Sequence, residues 1–195
     1  LVMLYARSKT GKIIEAAPHQ EGYCPACGNC VIAKCGDVKV WHWSHVANRD
    51  CDPWHEPESQ WHIDWKQSAP RCEVVIGPHR ADIVTRDGVV VELQHSYLSV
   101  AEIQEREAFY QKMIWIFDCR DPYEQGRIQL RLDGEDRYFF RWSHSRQTIA
   151  SCIMPVYLDL GEWLLLIGRR YRGFRSGIGF LIDPNMFRYK FLWNF

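Results

Sequence analysis

The sequence has no apolar run long enough to cross a membrane. Hydrophobic pieces such as Trp163 to Ile167 are strand-sized, so a spanning helix and a membrane partner are not expected. It has no excess of either charge, with 24 Lys and Arg set against 24 Asp and Glu. Bulk electrostatics therefore steer it neither toward nor away from nucleic acid, and any basic surface must be local. The first residues, LVMLYARSKTGK, lack a charged segment ahead of a long apolar core, so no secretory signal is expected there.

Without secretory features, the eight cysteines read as reduced thiols in a cytoplasmic setting, and as metal ligands before disulfides. The 195 residues, 47% of them hydrophobic, suffice for one domain of ordinary size with a small module attached. Five cysteines fall between Cys24 and Cys51. Cys24-Pro-Ala-Cys27-Gly is a knuckle that presents two thiolates at tetrahedral spacing, and a later turn can close a structural zinc site. The preferred ligands are Cys24, Cys27, His45 and Cys51. His42 competes for the third or fourth place, with Cys30 and Cys35 behind it. Cys72, Cys119 and Cys152 are isolated and read as small buried hydrophobes.

The most informative stretch is His79 to Gln94, HRADIVTRDGVVVELQ. Apolar and polar residues alternate on both sides of Asp87-Gly88, which marks a β-hairpin. A three-residue loop, Arg86-Asp87-Gly88, pairs Thr85 with Val89 and sets Asp82 opposite Glu92. Only this register puts Ala81, Ile83, Val89, Val91 and Leu93 on one face and Arg80, Asp82, Glu92 and Gln94 on the other. Like charges facing each other across strands repel. Either a hard divalent cation or Arg80 must offset the pair.

Before the hairpin, EPESQWHIDWKQSAP reads as a helix beginning at Pro57 and ending before Pro70. Its polar stripe is Glu58, His62 and Lys66, beside an apolar stripe of Trp61 and Trp65. A short strand over 73–76 follows. After the hairpin, Ser99 and Glu102 make a capping box for a helix to about Met113, and Ile114 to Phe117 reads as a buried strand. The order helix, three strands, helix, strand predicts an α/β core with a mixed sheet. Further strand pairs are expected about Asp133-Gly134 and Gly161. From Arg169 the charge turns basic: Arg169, Arg170, Arg172 and Arg175 are interleaved with Tyr171 and Phe174, a pattern that can track phosphates and stack bases, or form a solvated strand face.

The run CPACGNCVIAKCGDVKVWHWSH, then EPESQWHIDWK, HRADI, VVELQHS and EREAFY, resembles the CoiA-like family of competence proteins. That family is in turn similar to the PD-(D/E)XK nuclease superfamily. The resemblance covers about Tyr23 to Asp118. It implies a restriction endonuclease-like core at 56–126, after the zinc module at 1–55; nothing of the family is carried over to 127–195, which reads as a β-rich, basic and aromatic part from its own residues. It further implies that Glu58, Asp82 and Glu92 hold Mg²⁺ or Mn²⁺ for hydrolysis of DNA, with Gln94 in the E-x-Q position. Ala81 replaces the proline of the name pattern. Gln94 replaces a lysine that can orient or deprotonate water, so Lys66 and His62, or else His79 or His95, are the candidates for catalytic support. The partners implied are DNA, single strands included, and recombination proteins. A DNA-binding accessory protein that no longer cuts is the competing reading.

Overall fold

The computed structural model describes residues 3–38, 40–46, 51–54, 58–171 and 173–193. The chain divides into two compact units, Leu1–Gln67 with Arg71–Asp82, and Ser68–Pro70 with Ile83–Phe195.

In the first unit, five short antiparallel strands form a sheet: β1 (Tyr5–Arg7), β2 (Ile13–Glu15), β3 (Glu21–Tyr23), β4 (Cys30–Lys34) and β5 (His42–His45), in the order β2-β1-β3-β4-β5. Strands β1 and β2 form a hairpin, with Tyr5 opposite Glu15. Met3, Ala6, Cys24, Val31 and Trp43 pack into the small core that this sheet covers. Helix α1 (Gln60–Gln67) follows, then β6 (Cys72–Ile76) and β7 (His79–Val84).

Helix α1 starts later than the sequence suggests, so Glu58 lies ahead of it. Ser59 sets the boundary, because its carbonyl accepts from Ile63 N at 3.2 Å and its hydroxyl pairs with His62 Nδ1 at 2.9 Å. Pro57, where the helix was expected to begin, is outside the described residues. His62 and Lys66 are both buried, so the polar stripe is not a solvated face.

The second unit is built on one large sheet. Its strands are β8 (Val90–Gln94), β9 (Met113–Asp118), β10 (Ile128–Leu132), β11 (Arg137–Trp142), β12 (Val156–Asp159), β13 (Leu164–Tyr171) and β14 (Ser176–Ile182), ordered β10-β11-β14-β13-β12-β9-β8. β8 and β9 are parallel, as are β9 and β12, while the remaining pairs are antiparallel. This is the mixed sheet expected, and the β-rich C-terminal strands continue it. β8, β9 and β12 are buried along their whole lengths, as strands covered on both faces must be.

Ile83 pairs with Val91 and Val84 with Val90, while Thr85 N donates to Val89 O at 2.9 Å. The loop is therefore Arg86-Asp87-Gly88, with Gly88 at φ 74°, the left-handed residue that such a turn needs. Helix α2 (Val100–Tyr110) carries the predicted capping box: Glu102 N donates to Ser99 Oγ and Ser99 N to Glu102 Oε2. It ends before Met113 because Gln111 turns to φ 57°, which lets β9 begin two residues later.

On β10, β11, β14 and β13, residues directly opposite one another share a face. One row is Gln129, Arg141, Ser176 and Tyr171, and the next is Arg131, Phe139, Ile178 and Arg169. The other face holds Phe140, Gly177 and Arg170. Gly177 is required there, since a Cβ would stand 2.6 Å from the Phe140 ring and 2.2 Å from Arg169 O. A bulge between Ile167 and Arg169 shifts the alternation of β13.

Candidate metal centre and carboxylate cluster

Strands β3 and β4 frame the knuckle, and its turn is closed by Gly28 N donating to Cys24 O at 2.9 Å, with Gly28 at φ 72°. His45 ends β5, and Cys51 comes from the segment that follows. The ligand atoms of Cys24, Cys27, His45 and Cys51 all lie within 4.8 Å of one another. Cys24 Sγ is 3.7 Å from Cys51 Sγ, and Cys27 Sγ is 3.3 Å from His45 Nε2.

A tetrahedral zinc with Zn–S of about 2.3 Å and Zn–N of about 2.0 Å has ligand-to-ligand edges of about 3.5–3.8 Å, so the set fits zinc. These are the four ligands preferred from sequence. His42 instead turns its Nδ1 to Val40 O at 2.8 Å, and Cys30 is exposed. Burial, with the neighbouring Cys24, pushes the Cys51 thiol up to about 12. At Cys27 burial acts upward too, but hydrogen bonds from Asn29 and the neighbouring thiols bring it below the usual range. A bound cation would deprotonate the cysteines and remove the mismatch.

Next to this centre Asp52 fastens the start of β7. Its Oδ2 accepts from Arg80 N at 2.8 Å, and its Oδ1 lies 2.9 Å from His79 Nδ1. The His79 ring stacks on Trp54 with centroids 3.3 Å apart.

Further along, three carboxylates meet around one cation. Lys66 Nζ, fully buried on α1, donates to Glu58 and lies 2.9 Å from Asp82 Oδ1 and 3.6 Å from Glu73 Oε1. Burial alone would discharge this amine, but Asp82, Glu58 and Glu73 together raise its pKa above the ordinary lysine value. Burial likewise raises Glu58, with Asp82 and Glu73 adding to the shift and Lys66 opposing it. Glu58 Oε2 is buried, with no hydrogen-bond partner among the described residues.

Glu73 was not singled out from sequence. It sits at φ 52°, and its Oε2 accepts from Leu4 N at 2.9 Å and Tyr5 N at 3.3 Å. Its position two residues after Arg71 carries no periodic signal. Glu73 and Arg80 also line a cavity of about 290 Å³ with Tyr5 and Arg7. Sequence reasoning thus brought together Glu58, Lys66 and Asp82 and missed the third acid.

His62 faces Ser59, with Ser59 N and Oγ at 3.2 and 2.9 Å from its Nδ1. In the second unit, Glu92 and Gln94 share Arg106 of α2, whose Nη1 is 3.5 Å from Glu92 Oε2 and 3.2 Å from Gln94 Oε1. Gln94 Nε2 donates to Ser96 O at 3.2 Å. Arg106 was another residue with no local signal in the sequence.

The C-terminal arginines separate. Arg169 is exposed on the open face of β13, and Arg175 is exposed just before β14. Arg170 points to the inner face, where its Nη1 donates to Cys152 O at 2.8 Å and Ala150 O at 3.2 Å. Arg172 is outside the described residues.

Taken together, these features define a mixed α/β protein whose N-terminal sheet carries a Cys/His cluster that could hold a metal ion. Residues 6–53 match the family model described as Competence protein CoiA, N-terminal domain. Over 84 residues the chain is 29% identical to Competence protein CoiA of Bacillus subtilis (strain 168), a stretch that covers 40% of this chain and 22% of that protein. The likeness therefore spans about a fifth of the relative's length. Both matches are to CoiA proteins, and each covers less than half of this chain. No solved structure matches the chain. No helix among the described residues is long and apolar enough to cross a membrane.

Proposed function

We propose that this chain is a metal-dependent deoxyribonuclease of the PD-(D/E)XK type, acting in the processing of DNA during competence or recombination. The observation that carries the reading is the convergence of Glu58, Asp82 and Glu73 on Lys66. The likeness to a protein named for competence supports the biological setting. The hairpin register at Ile83–Val91 is the one the reading requires.

In this reading Glu58, Asp82 and Glu92, with the Leu93 carbonyl, would hold Mg²⁺ or Mn²⁺. Three acidic side chains suit a hard cation, and the buried Glu58 Oε2 has a lone pair to offer. Such a metal, when bound, lowers the pKa of water and neutralises charge on a scissile phosphate. Lys66 takes over the cationic part of the lysine that Gln94 replaces. Its raised pKa keeps it protonated near neutrality, so it stabilises negative charge and does not abstract a proton. Gln94, oriented by Arg106 and Ser96, hydrogen-bonds water or phosphate. The zinc centre braces β7 through Asp52.

The test is cleavage of labelled single- and double-stranded DNA with Mg²⁺ or Mn²⁺ against EDTA. Asp82→Ala should abolish cleavage and keep its zinc, and retained cleavage would overturn the assignment. A second reading, a DNA-binding accessory protein without cleavage, is favoured by Lys66 itself neutralising two of the carboxylates. It expects no metal-dependent cleavage and unimpaired DNA binding.

A further inference from the structure

The face of β10, β11, β14 and β13 that carries Arg131, Phe139, Arg141, Arg169 and Tyr171 faces solvent. Those residues fall in two adjacent rows of the sheet, so their common orientation follows from the strand register. At one end of the rows lies a cavity of about 830 Å³. Its lining includes Phe139, Arg141, His144, Tyr171 and Arg175 and, among the described residues, no acidic one. Arg141, His144, Tyr171 and Arg175 are all exposed, while Phe139 is partly buried. The Arg131 guanidinium lies over the Phe139 ring at 5.7 Å, so cation and aromatic are already interleaved.

Neither the Arg141 nor the Arg175 side chain makes an ion pair or a hydrogen bond within the described residues. Two unneutralised guanidinium groups beside a Tyr ring and a Phe ring are complementary to a chain of phosphates with unstacked bases. A neutral apolar partner would leave both charges desolvated, and an acidic peptide would leave the ring faces unused. A duplex conceals its base faces, so it could meet only the arginines.

We propose that this face is a binding platform for a single-stranded polynucleotide, with Arg141 and Arg175 on its phosphates and Tyr171 and Phe139 stacking its bases. It is distinct from the carboxylate cluster and rests on the nuclease reading only in the choice of a polynucleotide as ligand. Stacking on an aromatic residue tolerates any base, so the platform binds without sequence preference. Its phosphate contacts make binding fall as salt rises.

The test is fluorescence anisotropy in buffer without added Mg²⁺ or Mn²⁺, where no cleavage intervenes and the zinc is left in place, with a labelled oligothymidylate of about twelve nucleotides. The full chain should bind it. Arg141→Ala combined with Arg175→Ala should weaken binding about tenfold or more, and Tyr171→Ala about fivefold or more, with Tyr171→Phe restoring it. Lys9→Ala combined with Lys12→Ala removes equal charge from the first unit and should leave binding near the wild-type value. All of these side chains are exposed, so melting temperatures should stay unchanged and confirm folding.

An abasic strand of equal length and a duplex should both bind more weakly than the oligothymidylate, and a comparison of oligodeoxyuridylate with oligouridylate, which differ only in the 2′-hydroxyl, identifies which sugar is preferred. The proposal is overturned if the arginine and tyrosine variants bind like wild type, or if the abasic strand or duplex binds as tightly as the intact single strand. Loss of cleavage with binding intact would strike the nuclease reading alone. Loss of the binding pattern with cleavage intact would strike the platform alone.

Discussion

Asp52 holds His79 and Arg80 at the beginning of β7, 2.9 Å from the imidazole Nδ1 and 2.8 Å from the main-chain N–H of Arg80. Asp52 directly follows Cys51, one of the four converging metal ligands. The metal centre and the strand that bears Asp82 are thus joined by one peptide bond and one carboxylate.

Loss of zinc should be felt at β7. The purified chain should carry about one zinc per molecule, and Cys51→Ser or Cys24→Ser should lose it. Since ligation of the metal supplies folding free energy, we expect the melting temperature to fall by about 10 °C or more. Metal content by mass spectrometry and a thermal melt measure both effects. A Cys51→Ser chain that retains stoichiometric zinc would show that the four ligands are wrongly chosen.

Replacing Lys66 should be costly. Lys66→Met leaves Glu58, Asp82 and Glu73 facing one another without the cation between them, a loss of about 3–5 kcal/mol. Millimolar Mn²⁺ should raise the melting temperature of this variant more than that of wild type, because Glu58 and Asp82 are released to hold it. Calorimetric melts with and without Mn²⁺ decide the matter, and equal shifts count against these acids as metal holders.

Asp118 sets an acid limit on stability. Burial acts upward on its carboxyl, but hydrogen bonds from Arg120 and His95, with the Arg120 charge, hold it below the ordinary 3.8. A depressed folded pKa contributes stability that is present above the unfolded value and lost as pH falls through the folded one. Asp118→Asn should therefore be less stable than wild type at neutral pH by about 1 kcal/mol, since both partners are half-exposed and screened. Urea melts from pH 7 downward should show the two curves converging below the ordinary aspartate value. A constant gap at all pH values would refute the linkage.

Two neighbouring arginines should behave in opposite ways. Arg170→Ala removes donors to Cys152 O and Ala150 O and the cation 5.8 Å from the Phe174 ring, costing about 1.5–3 kcal/mol. Oligonucleotide binding by the folded variant should be unaffected. Arg169→Ala should leave the melt unchanged and weaken oligonucleotide binding. Side-by-side melts and anisotropy titrations measure this exchange, and a stability loss in Arg169→Ala would contradict it.

Much of this was legible in the sequence because the signals were local. The Cys24–Cys27 knuckle, the Asp87-Gly88 turn and the Ser99–Glu102 box are each fixed within a few residues, and each forms as read. The start of α1 was misplaced because Pro57 and Glu58 favour a first turn, whereas Ser59 bonds to His62 and Ile63 and takes the boundary itself. Glu73 and Arg106 were invisible for another reason. Their partners, Lys66 and Leu4 in one case and Glu92 and Gln94 in the other, are brought to them by tertiary folding, which no periodicity records.

The bulge at Gly168 has a consequence beyond its geometry. Up to Ile167 strand β13 keeps one phase of alternation, and from Arg169 it keeps the opposite one. One added residue thus decides which arginine is spent on the protein's own carbonyls and which remains available to a visitor. Removing Gly168 would leave the composition of the basic stretch intact and yet swap the assignments of Arg169, Arg170 and Tyr171, so the same letters would spell a different surface.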